Sequence, residues 1–241
     1  MFRRTILAIT LATAGIGTAV MAQNGAPNTL TPQEKAAGWR LLFDGTSLDG
    51  WRGYNKPTAP DPWKVVNGEV TLTGKGGDLV TKDQFDDFEL KLDWRLLKPG
   101  GNSGVFFHGV ETSDPIYYSA PEIQIIDNKG HKDAVTPTHT AGSNYDLDAP
   151  SRDMTKPIGE WNELRVVVKG PHVEQWLNGT KVVEYELWSP EWEKKVKASK
   201  FAKWPGYGRA KTGHIALQDH GDPVAFRNIK LRPLGANATR E

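Results

Sequence analysis

Hydrophobic and polar residues alternate along most of this chain, a pattern typical of β-strands that bury one face. In the segment from Phe88 to Leu96, apolar side chains occupy every second position and charged side chains lie between them. Asn67-Gly68 and Asn178-Gly179 separate other alternating segments and predict two-residue hairpin turns. Many short strands joined by tight turns favour an all-β fold in which two antiparallel sheets pack face to face.

One segment has a helical pattern instead. Ser189 is a suitable N-cap, Pro190 fits the first helical position, and Glu191 lies in the first turn ahead of several lysines. The pattern predicts a helix from Ser189 to Ala202, ended by Pro205-Gly206. The residues therefore predict an all-β sandwich with one short helix late in the chain.

The N-terminal segment is typical of a signal peptide. Arg3 and Arg4 precede an apolar stretch, and Val20-Met21-Ala22 fits a small-residue cleavage site. We predict a signal peptide over 1–22, a linker or short helical lead-in over 23–37, a catalytic β domain over 38–235 and a tail over 236–241. The mature protein is expected to be periplasmic or secreted, without a membrane span, and exported by the general secretory or the twin-arginine route.

Composition narrows the classes of function. The 241 residues suffice for one large β domain with its own core. The net charge is +1 and the charges are interspersed, so no basic surface for nucleic acid or an anionic membrane is expected. The absence of cysteine excludes a disulfide framework and a thiol nucleophile.

The segment from Ser119 to Asp127 carries the most informative polar residues. Glu122 and Gln124 share one face of the predicted strand, whereas the alternate isoleucines share the other. Asp127 joins the Glu122 face only if the strand contains a bulge that re-aims its side chain. A strand with a solvated glutamate is the alternative interpretation.

Other predicted strands carry polar and aromatic side chains with the same outward parity. Because adjacent strands lie about 5 Å apart, such side chains converge on a concave patch if their strands are neighbours. Carboxylate, imidazole, amide and tryptophan groups together suit a sugar, whose hydroxyls form hydrogen bonds and whose C–H faces stack on aromatic rings. The set comprises Asp93, Arg95, Asn102, Phe106, His108, Glu122, Gln124, Glu174, Trp176, His214, Gln218 and His220.

Six motifs, in one order along the chain, resemble a known family. They are LLFDGTSLDGW (41–51), GNSGVFFH (101–108), PEIQIIDN (121–128), KPIGEWN (156–162), WLNGTKVV (176–183) and GHIALQDHGDPVAFRNIK (213–230). From about Gly38 to Leu234 the chain is similar to the domain formerly called DUF1080, described as 3-keto-disaccharide hydrolase or 3-keto-glucoside 1,2-lyase/3-keto-2-hydroxy-glucal hydratase. The resemblance implies a concanavalin A-like jelly-roll sandwich related to laminarinase-type glycoside hydrolases.

The resemblance to those hydrolases is imperfect at the catalytic strand. Their Glu-x-Asp-x-x-Glu pattern corresponds here to Glu122, Gln124 and Asp127, so an amide replaces the middle carboxylate. A retaining glycosidase needs two carboxylates about 5.5 Å apart. Ordinary β-glucanase chemistry is therefore not expected.

The resemblance implies elimination chemistry. A 3-keto group acidifies the C2 hydrogen of the sugar, so a base can remove that proton, the enolate expels the aglycone from C1, and water then adds across the double bond. On this interpretation Glu122 or a histidine (His108 or His220) is the base and the other is the acid. The expected substrate-binding residues are Arg95, Asn102, Gln124, Asp127, Tyr145, Lys156, Trp176 and Gln218.

Three alternatives remain open at this point. Two histidines and a carboxylate could hold a divalent metal that polarises the ketone, although no cofactor is predicted. The protein could instead be a non-catalytic carbohydrate-binding module, or a conventional glycoside hydrolase acting on unoxidised glycans. Binding alone does not need histidines near a carboxylate, which favours an enzyme. A small carbohydrate is the expected partner in every case. His131 and His139 lie in the long polar loop over 127–159, where a lone histidine is usually solvated.

Overall fold

The computed structural model describes residues 26–235, which form two layers of β-sheet. The predicted signal peptide over 1–22 and the predicted tail over 236–241 lie outside these residues. Within 26–235, no helix combines the length and the apolar character needed to cross a membrane.

The two layers are antiparallel sheets of eight and five strands. In chain order the strands are β1 (Arg40–Leu41), β2 (Trp51–Gly53), β3 (Trp63–Val66), β4 (Glu69–Leu72), β5 (Leu79–Thr81), β6 (Phe88–Leu96), β7 (Asn102–Gly109), β8 (Glu122–Ile126), β9 (Asn162–Lys169), β10 (His172–Leu177), β11 (Thr180–Glu186), β12 (His214–Leu217) and β13 (Val224–Pro233). The larger sheet has the order β11-β10-β9-β6-β13-β4-β3, with β1 also paired to β13, and the smaller sheet has the order β2-β5-β12-β7-β8. The predicted two-sheet antiparallel jelly-roll sandwich is confirmed.

The hydrophobic core lies between the sheets, as the alternating pattern predicts. The inward residues of β6, from Phe88 to Leu96, are buried and belong to the same cluster as Phe107 of β7 and Ile125 of β8. Each fully buried large apolar side chain stabilises the fold by roughly 1.5–3 kcal/mol. The outward residues of each strand are left free for other roles.

The late helix is shorter than predicted. Helix α1 covers Pro32–Ala36 and helix α2 covers Pro190–Ala198, with the Ser189 hydroxyl accepting the Trp192 N–H at 3.2 Å as the N-cap of α2. Ser199 interrupts the helix, because its hydroxyl accepts the Phe201 N–H at 3.1 Å and caps a separate 3-10 turn over Lys200–Lys203. The break at Ser199 changes the direction in which the next residue, Lys200, extends from the chain.

The segment predicted as a linker or helical lead-in is attached to the domain from its first described residues. The Asn28 N–H donates to Asn228 Oδ1 at 2.6 Å, and the Asn228 N–H donates to Asn28 Oδ1 at 2.8 Å. In α1, Thr31 and Glu34 form a capping box. The lead-in is thereby joined to β13, the strand that carries Asn228.

The order of the smaller sheet decides which outward side chains meet. β7 lies between β12 and β8, with Gly104 opposite Gln124. Gln218 follows β12, and its N–H donates to the Gly104 carbonyl at 2.9 Å. The strands bearing Asn102, Glu122 and Gln218 are therefore neighbours, which is the arrangement that convergence of these side chains requires.

Candidate active site

A cavity of about 220 Å³ opens on the outward face of the five-stranded sheet. Its floor comes from neighbouring strands, and its walls come from the loop over 127–159 and from the 3-10 turn that begins at Lys200. The lining residues are Asn102, Tyr117, Glu122, Gln124, Asp133, Tyr145, Lys200, Gln218 and His220.

Glu122 lines this cavity and is 4 % exposed. A glycine on the adjacent strand makes room for it, because a Cβ atom at Gly104 would overlap the Glu122 carboxyl group. Burial raises the pKa of Glu122 to about 8, although the Lys200 ammonium opposes this shift. At neutral pH the group is therefore a carboxylic acid that can donate a proton.

Lys200 is the cation of the cavity, and the sequence did not reveal it. Its Nζ lies 4.1 Å from the centre of the Tyr145 ring and 5.5 Å from that of Tyr117. Burial lowers the pKa of Lys200, an effect that the carboxyl groups of Glu122 and Asp146 oppose. Within the predicted helix Lys200 was one of several lysines, and the only local signal for its different role is Ser199, which interrupts that helix.

Tyr145 and Asp133 form one wall of the cavity. The Tyr145 hydroxyl donates to Asp133 Oδ2 at 3.0 Å, and the Tyr145 ring stacks on His139 with 4.5 Å between ring centres. Tyr145, which was predicted to bind substrate, therefore lines the cavity that holds Glu122. Asp133 was not predicted, because a single aspartate in a long polar loop gives no signal that distinguishes it from a solvated one.

The amide side chains of the cavity offer acceptors for sugar hydroxyls. Asn102 Oδ1 and Gln218 Oε1 are buried and have no hydrogen-bond partner within residues 26–235. A buried acceptor left unpaired costs about 1–3 kcal/mol, so a ligand hydroxyl that donates to one of them would be favoured. His220 lies at the rim, with 49 % of its side chain exposed and its Nδ1 3.7 Å from Asp222 Oδ2.

Residues 38–232 match the family described as the 3-keto-alpha-glucoside-1,2-lyase-like domain. The chain belongs to this family. It is 36 % identical over 231 residues to a 3-keto-disaccharide hydrolase of Bacteroides thetaiotaomicron, in a match that covers 83 % of this chain and 79 % of the relative.

Solved structures share this fold at appreciable sequence identity. The fold superposes with a TM-score of 0.82 on a crystal structure from Parabacteroides distasonis that is provisionally described as a glycosyl hydrolase. That protein is 33 % identical, and the match covers 87 % of this chain and all of the other. A second Parabacteroides distasonis structure with the same description gives a TM-score of 0.64 at 29 % identity, covering 81 % of this chain and 99 % of the other.

Arg95 and Trp176 do not reach the cavity of this family member, so their predicted place beside Glu122 is wrong. Both lie on the outward face of the eight-stranded sheet. Arg95 pairs with both carboxylate oxygens of Glu69 at 2.8 and 2.9 Å, and the Trp176 indole N–H donates to Glu174 at 2.9 Å. Residue parity identifies outward side chains, but it does not distinguish the outer surface of one sheet from that of the other.

His108 also lies away from the Glu122 cavity, which corrects its prediction as base or acid. The pairing of β7 with β12 shifts by a bulge near His108, and the residue has a φ of +53°. The bulge turns the ring toward Phe88, 5.9 Å away, and its Nε2–H donates to the Asp86 carbonyl at 2.8 Å. Burial lowers the pKa of His108, so it is a neutral, structural imidazole.

Asp127 and Lys156 border a different cavity, of about 430 Å³, and do not line the one that holds Glu122. The Asp127 carboxylate accepts the backbone N–H groups of Gly100 at 2.8 Å and Lys129 at 3.0 Å, which fixes the turn after β8. The Lys156 ammonium donates to the Trp161 carbonyl at 2.8 Å. Their predicted contact with the same substrate as Glu122 is therefore not supported by their positions.

The residues that could hold a metal differ from those that the sequence suggested. His108 cannot join His220, but His131, His220 and Asp222 offer ligand atoms within 4.8 Å of one another. Two of these residues already have partners: the Lys98 ammonium is 2.9 Å from Asp222 Oδ1, and the Asp133 N–H donates to His131 Nδ1 at 3.1 Å. A divalent cation bound here would displace the proton-accepting role of the His131 ring and would share the Asp222 carboxylate with Lys98.

Proposed function

We propose that the protein cleaves 3-keto-glycosides by elimination of the aglycone followed by addition of water. One observation carries the proposal: a buried carboxylic acid, Glu122, lines the same small cavity as the Lys200 ammonium, the His220 imidazole and two amide oxygens that have no hydrogen-bond partner among residues 26–235. The family and its Bacteroides relative support the substrate class.

The first half of the reaction needs a base, an acid and a cation. His220 takes the C2 proton, which the neighbouring ketone has acidified. Electrons from the broken C–H bond move to the ketone oxygen, and the Lys200 ammonium stabilises the resulting enolate. As the enolate collapses, the C1–O bond breaks and Glu122 donates its proton to the departing aglycone oxygen. Each proton transfer by a positioned group contributes about 10²- to 10⁴-fold to the rate.

The second half reverses both proton transfers, and the proton count closes. After elimination Glu122 is ionised and His220 is protonated. Glu122 then removes a proton from the water that attacks C1, while His220 returns a proton to C2, so both groups regain their starting states. A carboxyl group with a pKa of about 8 suits this cycle, because it must give up and recover a proton near neutral pH.

Aromatic rings at the cavity provide a surface for the leaving group. Tyr117 lines the cavity, and its ring centre lies 5.1 Å from that of Tyr118 and 5.6 Å from that of Trp204. Tyr118 and Trp204 stack on each other at 4.2 Å. Such rings suit the apolar face of a sugar or of an aryl aglycone.

The test compares matched 3-keto and native glucosides in buffered D2O. We expect the aglycone to be released only from the 3-keto substrate, and C2 of the sugar product to acquire deuterium. Glu122→Gln should abolish release while leaving the circular dichroism spectrum unchanged. Release from the native glucoside alone would indicate a conventional hydrolase, and binding without release of either would indicate a binding module.

The N-terminal pattern supports export, and we propose that the enzyme acts in the periplasm or outside the cell. Arg3-Arg4, the apolar stretch and the small-residue site ending at Ala22 carry this proposal. N-terminal sequencing of protein recovered from the periplasm and the medium should begin near Gln23. An uncleaved chain confined to the cytoplasm would contradict it.

A further inference from the structure

His139 lies behind the wall of the Glu122 cavity, between two carboxylates. Its Nδ1 is 3.0 Å from Asp133 Oδ1, and its Nε2 is 3.0 Å from Asp146 Oδ1. A neutral imidazole has a single N–H and can donate to only one of these oxygens, while its lone pair would face the other. Both contacts are hydrogen bonds only when the ring is an imidazolium, so the geometry calls for the charged form.

The same two carboxylates connect this ring to groups that line the cavity. Asp133 accepts the Tyr145 hydroxyl at 3.0 Å, and Asp146 accepts the backbone N–H of Lys200 at 3.0 Å. Tyr145 stacks on the His139 ring, and its own ring centre lies 4.1 Å from the Lys200 Nζ. The imidazolium therefore joins the loop over 127–159 to the 3-10 turn that presents Lys200.

We infer that protonated His139 is a positioning residue that holds the Lys200 ammonium and the Tyr145 hydroxyl at the Glu122 cavity. His139 is not among the residues that line the cavity, so it acts through Asp133 and Asp146. Its effect on turnover rests on the proposed function, whereas its charge state and contacts are properties of the fold.

Removing the His139 imidazolium should let Asp133 and Asp146 move apart. Without the imidazolium, the Asp133 and Asp146 carboxylates face each other across the vacated space and repel. Asp146 would then hold the Lys200 turn less firmly, and Asp133 would hold Tyr145 less firmly. A displacement of about 1 Å at a reacting group can lower the rate roughly 10²-fold, so a loose wall should affect kcat more than the binding of the substrate.

The kinetic test uses His139→Gln with His172→Gln as a matched control. His172 also lies among carboxylates, 2.6 Å from Glu186 and 3.5 Å from Glu184, but it belongs to the other sheet. With a 3-keto-glucoside we expect kcat of His139→Gln to fall about 10- to 100-fold, with a smaller rise in KM, and the control to match the wild type. A wild-type kcat in folded His139→Gln would overturn the inference.

A second measurement tests the arrangement without turnover. In the full-length wild type at pH 7, the ¹⁵N spectrum of the imidazoles should show both ring nitrogens of His139 protonated. Asp146→Asn should give a neutral His139, because the new amide can donate to Nε2 while its oxygen accepts the Lys200 N–H. A neutral His139 in the wild type overturns the inference. An imidazolium in a protein that turns over no 3-keto-glucoside supports the arrangement and refutes the proposed function.

Discussion

Replacing Glu122 with Gln should stabilise the folded protein at neutral pH while it removes activity. Burial raises the pKa of Glu122 to about 8, from an ordinary value of 4.5. Between these pH values the unfolded chain carries an ionised Glu122, whereas the folded chain keeps the proton. The stability that this group contributes is therefore complete below pH 4.5 and is lost as the pH rises toward 8.

The size of the effect follows from the pKa difference. The free energy of unfolding falls by about 1.4 kcal/mol per pH unit across this window. From pH 4.5 to pH 7 the loss is roughly 3 kcal/mol. Glutamine is neutral in both states and avoids the loss, so the variant should gain about 3 kcal/mol over the wild type at pH 7 and almost nothing at pH 4.5.

Glu89 provides a control of opposite sign. It is as buried as Glu122, with 4 % exposed, but it lies on the eight-stranded sheet beside Arg165 and Arg232. Burial opposes its ionisation, but hydrogen bonds from the two arginines outweigh burial and lower the pKa of Glu89. The stability that Glu89 contributes is present above the ordinary pKa of a glutamate and is lost as the pH falls. Glu89→Gln should therefore destabilise the protein most at neutral pH.

Urea unfolding of the wild type and both variants between pH 4.5 and 8 measures these differences. Tryptophan fluorescence is a suitable signal, since the chain has nine tryptophans. Comparing each variant with the wild type at the same pH isolates the replaced group together with its effect on its direct partners, which are Lys200 for Glu122 and the two arginines for Glu89. An advantage of Glu122→Gln that does not change with pH would refute the conclusion that the folded protein holds Glu122 protonated.

Two further predictions concern the cation and the acid. Lys200→Met should lower kcat about 10²- to 10³-fold, because the enolate loses its positive partner. Arg95→Ala, on the opposite sheet, should leave steady-state kinetics unchanged. A large loss of activity in Arg95→Ala would contradict the position of Arg95 away from the cavity. The rate should fall above a pH of about 8, where Glu122 loses its proton. A kcat/KM profile that rises through pH 8 would instead assign Glu122 as the base.

Part of the site could be predicted because strand residues alternate between two faces. That rule places Glu122 and Gln124 on the outward side of β8, and it places Asn102 on the same side of β7. The fold class followed from the same alternation together with the turn signals. Neither inference needed the order of the strands in space.

The rest of the site depends on features that alternation does not encode. The predictions for Arg95 and Trp176 were wrong because the strand order assigns both residues to the other sheet. The prediction for His108 was wrong because a bulge reverses the direction of its side chain, and a bulge leaves no pattern in the sequence of a short strand. Lys200 was missed because Ser199 divides what reads as one continuous helix.

β13 has a consequence for how this domain folds. It is the last strand within residues 26–235, yet it lies between β6 and β4 in the middle of the larger sheet, and it also pairs with β1. Until it pairs, the two parts of that sheet have unpaired edges and few local contacts to hold them. Closure of the larger sheet therefore waits for contacts between segments far apart in the sequence, which favours slow folding.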